Sequence, residues 1–335
     1  MKFVDDPKVV NQLFPFAETR SVADIRVGIT TIREKWQLQH DMHGVQIPSH
    51  LLPVKKTAAL IAAGEQIPAD TPAIDFPWKI FQLNDLMIRH DFEQVTRGRK
   101  SAPIPSSCHV ITPSEVFIEE GARLEHCVLN ASTGPVYIGK NAEVMEGSTI
   151  RGPFALCEGA VVKMGTRIYG ATTIGPFSIV GGEIKNCVIF GHSNKGHDGY
   201  LGDAVIGEWC NLGAGTSNSN LKNTGTPVKV WNPAAATYFY AGTKCGLLMG
   251  DYSRSAINTS FNTGTVVGVC ANVFGCGLTP NYIPGFSWGY DPPLVYQLDK
   301  ALRDISNWKK FKNQSLTDQE ISKLSSIFAN LNQHT

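Results

Sequence analysis

Arg167 and Lys185 stand eighteen residues apart, His197 follows twelve residues later, Tyr200 comes three after it, and Asn211 opens the run Asn-Leu-Gly-Ala-Gly-Thr. Two cations held on one surface need not repel if they share an anion, and a guanidinium beside an ammonium makes a site of phosphate size. An imidazole in a polar loop near such a pair has a proton affinity suited to a general base around neutral pH. Taken singly, each of these residues reads as solvated surface. Their spacing is what points to chemistry, and on its own it names no reaction.

The element that must position them is visible as a repeat. Ile138, Val144, Ile150, Leu156, Val162, Ile168, Ile174 and Val180 are spaced six apart without a miss. A small residue usually follows four positions later, at Ala142, Ser148, Ala160, Thr166, Thr172 and Ser178, with Phe154 the bulky exception. Glycine follows the aliphatic at Ile138, Ile174, Ile206, Leu212, Met249 and Val267. The period predicts a triangular prism in which each hexapeptide makes one short strand and one corner, with the aliphatic inside and glycine supplying the turn dihedrals. Three hexapeptides close one coil, so residues eighteen apart stack at about 4.8 Å, which would set Arg167 and Lys185 side by side. The expected fold is mainly β: a parallel β-helix with a short α-rich N-terminal region and C-terminal helices.

The repeat pauses at 181–200 and breaks again through 217–246, and both breaks are polar. Interruptions in a solenoid fall on one face and often bear function. Outside the repeat the signals are helical. Val22, Ile25, Ile29, Ile32 and Trp36 follow three-four spacing after Ser21, and Pro77 to His90 reads as a short helix. Leu294, Leu298, Leu302, Ile305 and Trp308 form one apolar stripe, and a second helix begins at a Thr317-x-x-Glu320 capping box. These two are expected to cover the open end of the solenoid or to pack on a neighbouring subunit. The expected divisions are 1–107, 108–290 and 291–335.

With 30 Lys and Arg against 29 Asp and Glu, no global field favours nucleic acid or an anionic membrane. The opening MKFVDDPKVV lacks the apolar run of a signal peptide, and no stretch approaches a membrane span, so a cytoplasmic protein is expected. Eight dispersed cysteines without a CxxC read as small core residues rather than disulfides or a metal site, and no metal is expected.

The stretch GHDGYLGDAVIGEWCNLGAGTSNSN resembles the acetyltransferase motif of the bifunctional UDP-N-acetylglucosamine synthesis family, which joins a glucosamine-1-phosphate acetyltransferase to a sugar-phosphate nucleotidyltransferase. The match runs through His197, Tyr200-Leu201-Gly202-Asp203 and Asn211 to Thr216. ETRSVADIRVGITTIREKW, PWKIFQLN, YIGKNAEVMEGSTIRGPFALCEGAVVKMG, IFGHSNKGHDGYLGD and FNTGTVVGV are similar to a divergent Bacteroidetes-type branch, across most of residues 8–290. The resemblance implies a left-handed β-helix and an N-acetyltransferase that uses acetyl-CoA on an amino-sugar phosphate. It makes His197 the general base and Arg167 and Lys185 the phosphate ligands. Tyr200, Asn211 and Asn220 would orient the sugar, and Ala214, Ala256 and Ile257 would line the acetyl-CoA groove. A homotrimer with sites between subunits is implied as well.

The same resemblance marks a departure. Relatives place a full Rossmann-like domain between the REKW and PWKIFQLN segments, where this chain has only Gln37 to Phe76, and the GxGTR phosphate loop is absent. Arg20 and Arg26 read as helix-flanking cations rather than as a phosphate remnant. Little nucleotidyl transfer is therefore expected, and Mg2+ would be needed only if that activity survives. A non-catalytic subunit that binds sugar nucleotide, and a reduced nucleotidyltransferase, stay open as alternatives.

Overall fold

The hexapeptide period closes into coils of three short parallel strands. In a computed structural model describing residues 1–39 and 44–331, Val136–Ile138, Glu143–Val144 and Thr149–Arg151 make one turn. Phe154–Leu156 then returns beside the first strand with Phe154 opposite Val136. Repetition builds three faces among the described residues: parallel sheets of nine and of six strands, and a ten-stranded sheet whose last pair is antiparallel. Residues 40–43 of the segment 37–76, and 332–335 of the expected unit 291–335, lie outside the described residues. No helix in the described chain is long and apolar enough to cross a membrane.

All eight aliphatics from Ile138 to Val180 point inward and are at most 2% exposed, and the small residues from Ala142 to Ser178 are buried with them. The glycines serve a different purpose from the one expected. Those that follow the aliphatics do not have positive φ. They are needed because coils approach closely: a Cβ on Gly139 would lie 2.8 Å from the Cys157 carbonyl carbon, and one on Gly213 would lie 2.5 Å from that of Ala256. The left-handed backbone falls two residues later, on Phe177, His192, Trp209 and Tyr252 in successive turns. His192 is sandwiched there, its ring 5.2 Å from Phe177 and 4.3 Å from Trp209.

The upper nine-stranded face reads as apolar doublets, Val188-Ile189, Val205-Ile206, Leu248-Met249 and Val266-Val267, because it is buried on both sides. Ile189, Ile206, Met249 and Val267 fill the prism. Val188, Val205, Leu248 and Val266 face outward into a second core with Leu13, Phe16, Ile25, Ile32, Trp36, Ile80 and Phe81 of the N-terminal region. That region holds α1 (Pro7–Gln12), α2 (Ile32–Gln37), α3 (Lys55–Ala63), α4 (Lys79–Gln82) and α5 (Asn84–Thr96). A lone parallel pair, Lys2–Val4 with Gln46–Pro48, is its sheet.

Two ion pairs fix it. Lys35 of α2 bonds Asp91 of α5 in the interior, and Asp91 also accepts from the Ile29 and Thr30 amides. Arg20 bonds buried Asp251 of the solenoid, with Glu208 3.4 Å away. Arg20 is therefore neither a phosphate remnant nor a simple flanking cation; it docks the region onto the solenoid.

The single helix expected over 22–36 is instead a 3-10 turn at Val22–Asp24, a loop through Gly28 (φ 74°), and α2 beginning after a Thr31/Glu34 capping box. The helix expected over 77–90 is two, α4 and α5, running on to Thr96. At the C-terminus α6 (Leu298–Lys310) and α7 (Asp318–Leu331) form, the second after the expected capping box. Leu294 belongs to a strand rather than to the α6 stripe. These helices lie along the edge between the nine- and ten-stranded faces, with Ala301, Ile305, Leu324 and Ile327 packed on Trp209, Tyr252, Cys270 and Phe286.

The break at 217–246 holds an antiparallel hairpin, Lys229–Asn232 with Thr237–Tyr240. It clasps the N-terminal region: Gln82 Nε2 donates to Ala241 O at 2.9 Å and Asn232 Nδ2 to Asn11 O at 3.0 Å. The hairpin of that break serves docking, while the stretch before it carries Asn220 to the six-stranded face.

Candidate active site

The six-stranded face takes part in neither of these two cores. On it lie Arg167–Tyr169, Glu183–Lys185 and Tyr200–Gly202. Ile168, Ile184 and Leu201 turn inward, so the residues on either side of each point out.

Arg167 and Lys185 share this outer surface, but they are not stacked. Arg167 sits opposite Glu183, and Lys185 opposite Tyr169. The reason is a shortened corner. Four residues join Val162 to Arg167, whereas only Gly181 and Gly182 join Val180 to Glu183. The two cations therefore lie diagonally across adjacent strands.

Each has a loose carboxylate neighbour. Arg167 Nε is 4.0 Å from Glu183 and Lys185 Nζ 3.9 Å from Asp203. Pairs this long and partly exposed contribute little, about 0–1 kcal/mol, so either cation is available to a phosphate. Below them the face hollows into a groove of about 430 Å³ that Arg151, Arg167, Tyr169, Glu183 and Thr149 line. Tyr169 donates to Glu183 Oε1 at 2.6 Å, and that bond, then partial burial, pushes the phenol up to about 12.

Asp203 organises the upper half. It is buried, its Oδ1 accepts from Asn186 Nδ2 at 2.7 Å, and its Oδ2 accepts from Asn220 Nδ2. Asn220 also donates to the Tyr200 hydroxyl at 3.1 Å. Gly202, opposite Lys185, leaves room for the Tyr200 ring, whose hydroxyl would lie 2.2 Å from a Cβ there. Burial, followed by the Asp203 charge, raises the Tyr200 phenol, which stays protonated as a donor.

His197 occupies the next corner on the edge between the ten- and six-stranded faces. Gly196 to Gly199 restore four residues where the turn beneath has two, and the imidazole is exposed. It stands above a notch at Gly181-Gly182, where a Gly182 Cβ would lie 2.8 Å from His197 O.

Ala214, Ala256 and Ile257 continue the same edge. Leu212 is opposite Ser255, and Asn258 N donates to Ala214 O at 2.7 Å. The hairpin leaves the coil after this corner and returns before the next, so it does not disturb their stacking. Ile257 is 68% exposed.

Asn211 does not join the others. It precedes inward Leu212 on the ten-stranded face, between Asn194 and Arg254, around the corner from Tyr200. Within one chain the structure thus brings together Arg167, Lys185, Tyr200 and Asn220 on one face, sets His197, Ala214, Ala256 and Ile257 along its edge, and leaves Asn211 on the far side. Tyr169, Glu183, Asp203, Asn186 and Arg151 join the site beyond those the spacing singled out. Alternation about Ile168 and Ile184 was the signal that could have found Tyr169 and Glu183.

The family model of sugar nucleotidyl transferases matches residues 1–61. The bifunctional protein GlmU of Methanocaldococcus jannaschii is 36% identical over 86 residues, 26% of this chain and 21% of its own length. A bifunctional sugar-1-phosphate nucleotidylyltransferase/acetyltransferase of Sulfurisphaera tokodaii is 35% identical over 28% of this chain and 23% of its own. The GlmU of Bartonella quintana is 27% identical over 48% and 37%. The matched part thus spans about a fifth of the length of the first two relatives and just over a third of the last. Among solved structures, an Arabidopsis UDP-N-acetylglucosamine acyltransferase aligns with 68% of this chain and 94% of its own at 15% identity, with a TM-score of 0.27.

Proposed function

We propose that this chain, a relative of the bifunctional sugar-1-phosphate nucleotidyltransferase/acetyltransferases with a shortened N-terminal region, is an N-acetyltransferase acting on an amino-sugar phosphate of the glucosamine-1-phosphate type. The observation that supports this most is the widened His197 corner, which stands at the edge of the face bearing Arg167 and Lys185, with Ala214 and Ile257 in line above it. An anionic acceptor and a thioester can meet there beside one imidazole.

In this reading Arg167 and Lys185 hold the phosphate, and Tyr200 and Asn220 orient the sugar hydroxyls. The acceptor amine attacks the acetyl-CoA carbonyl carbon, His197 takes the proton the amine sheds, and the carbon–sulfur bond breaks. The proton then passes to the departing thiolate, so no covalent enzyme intermediate forms. Ala214, Ala256 and Ile257 give the pantetheine arm a smooth, partly apolar edge. Asn211, facing away in its own chain, would serve a site completed by a second copy. The six-stranded face and its edge are open to such a copy, which supports the homotrimer; light scattering that returned a monomer at working concentration would contradict it.

The N-terminal region serves docking rather than nucleotidyl transfer. Its sheet is one parallel pair, and Arg20 is engaged by Asp251. Mg2+-dependent pyrophosphate release from UTP by the pure protein would overturn this.

Phosphate dependence tests the acceptor class. Thiol release from acetyl-CoA should have kcat/KM at least roughly tenfold higher with an amino-hexose phosphate than with the free amino sugar, as charged hydrogen bonds are worth about 1.5–3 kcal/mol. Equal rates on both would remove the phosphate from the account.

A further inference from the structure

Inside the prism, the residue directly over Val180 is Lys195. In the turns below, the same position is filled by Val144, Val162 and Val180, and in the turn above by Leu212. Lys195 is 3% exposed, and the hydrogen-bond acceptors of its ammonium are carbonyls rather than a carboxylate. Its Nζ donates to two backbone carbonyls, Gly181 O at 3.0 Å and His197 O at 2.6 Å. The first belongs to the shortened corner and the second to the widened corner above it.

A buried ammonium with only carbonyl acceptors is less favourable than the aliphatic that the repeat otherwise places there. Packing alone would select valine or leucine. Burial also pulls the Lys195 ammonium down to about 8, with the Asp198 charge opposing it. The two extra residues at 196–199 are the reason a polar anchor is useful. Two glycines flank His197-Asp198, and a four-residue corner perched on a two-residue one is out of register with the turn beneath, although Gly215 N of the turn above donates to Asp198 O at 3.0 Å.

We propose that Lys195 is a positioning residue for His197: its ammonium ties the His197 carbonyl to that of Gly181 and so fixes the corner that carries the imidazole over the Gly181-Gly182 notch. The catalytic consequence rests on the acyl-transfer reading of His197; the holding of the corner does not.

The test compares the intact wild type with Lys195→Met and Lys195→Gln by amide hydrogen exchange and by steady-state thiol release. Methionine restores the apolar repeat, while the glutamine amide can still donate to the carbonyls. Expected for Lys195→Met is an equal or higher Tm, corner amides 196–200 that exchange roughly tenfold faster or more, and kcat lowered about tenfold or more with acceptor KM unchanged. Lys195→Gln should recover most of both. Wild-type corner exchange and kcat in Lys195→Met would reduce the lysine to a space-filler. Faster exchange throughout the solenoid with a lowered Tm in both variants would make its role structural, and overturn the proposal. If the wild type releases no thiol with any amino-sugar phosphate, the acyl-transfer reading fails while the exchange comparison still decides what Lys195 does.

Discussion

At the scale of single residues, the candidate site depends on which cations are free to meet an anion. Arg167 and Lys185 each have only a long contact to a carboxylate, whereas Arg20, Lys35 and Lys309 are engaged in close pairs. Arg167→Ala and Lys185→Ala should therefore each lower kcat/KM for a phosphate-bearing acceptor by roughly tenfold or more and leave the weaker rate on the unphosphorylated amino sugar unchanged; a parallel fall on both acceptors would assign them a structural part. Their sharing of one face was legible from spacing, but their register was not. Eighteen-residue stacking assumes corners of constant length, and the Gly181-Gly182 corner is two residues short. A strand shifted by two keeps its outward residues outward, so the face was right and the register wrong. Asn211 keeps the repeat's phase, which places it outward on the neighbouring face of its own chain.

At the scale of elements, the repeat was readable because every aliphatic answers to one constraint, the narrow interior. Residues 22–36 carry helical spacing without forming one helix because two unrelated patterns overlap. Val22, Ile25, Ile32 and Trp36 are all buried, yet Gly28 between them approaches α5 so closely that a Cβ would lie 2.6 Å from Asp91 Oδ2. The Thr31-x-x-Glu34 box was the local signal of where the helix starts. The corner stack gives a pH prediction. Burial, reinforced by Lys312 and Lys309 of the α6 end, lowers the His192 imidazole to about 4, against the Glu320 carboxylate of α7. A folded-state value below the unfolded one means the stability it contributes is complete above about pH 6.5 and is lost as pH falls toward 4. His192→Phe, which keeps a ring between Phe177 and Trp209, should flatten that part of the curve. Urea midpoints measured from pH 4 to 8 for both proteins check this, and superimposable pH profiles would contradict it.

At the scale of the whole molecule, the nine-stranded face of the prism is closed by the N-terminal region, its edge with the ten-stranded face by α6 and α7, and the six-stranded face bears the candidate site. The closure is what makes the doublets Val188-Ile189 to Val266-Val267 tolerable, since an outward apolar row would otherwise be exposed. In the sequence this burial is written in the doublets, beside the single inward aliphatics that mark the repeat. Arg20→Ala would leave Asp251 buried without its partner, and breaking such a pair costs about 3–5 kcal/mol. The lowered denaturation midpoint should come with exposed apolar surface, measured as dye binding, and an unchanged midpoint would show that the docking does not depend on the pair. The central claim, that the edge at His197 transfers an acetyl group to an anionic amino sugar, is tested most directly by thiol release from acetyl-CoA with glucosamine-1-phosphate in the wild type and in His197→Ala. Removing a general base should lower kcat by roughly 100-fold or more while the folded assembly persists. A His197→Ala protein that turns over at the wild-type rate would contradict the account.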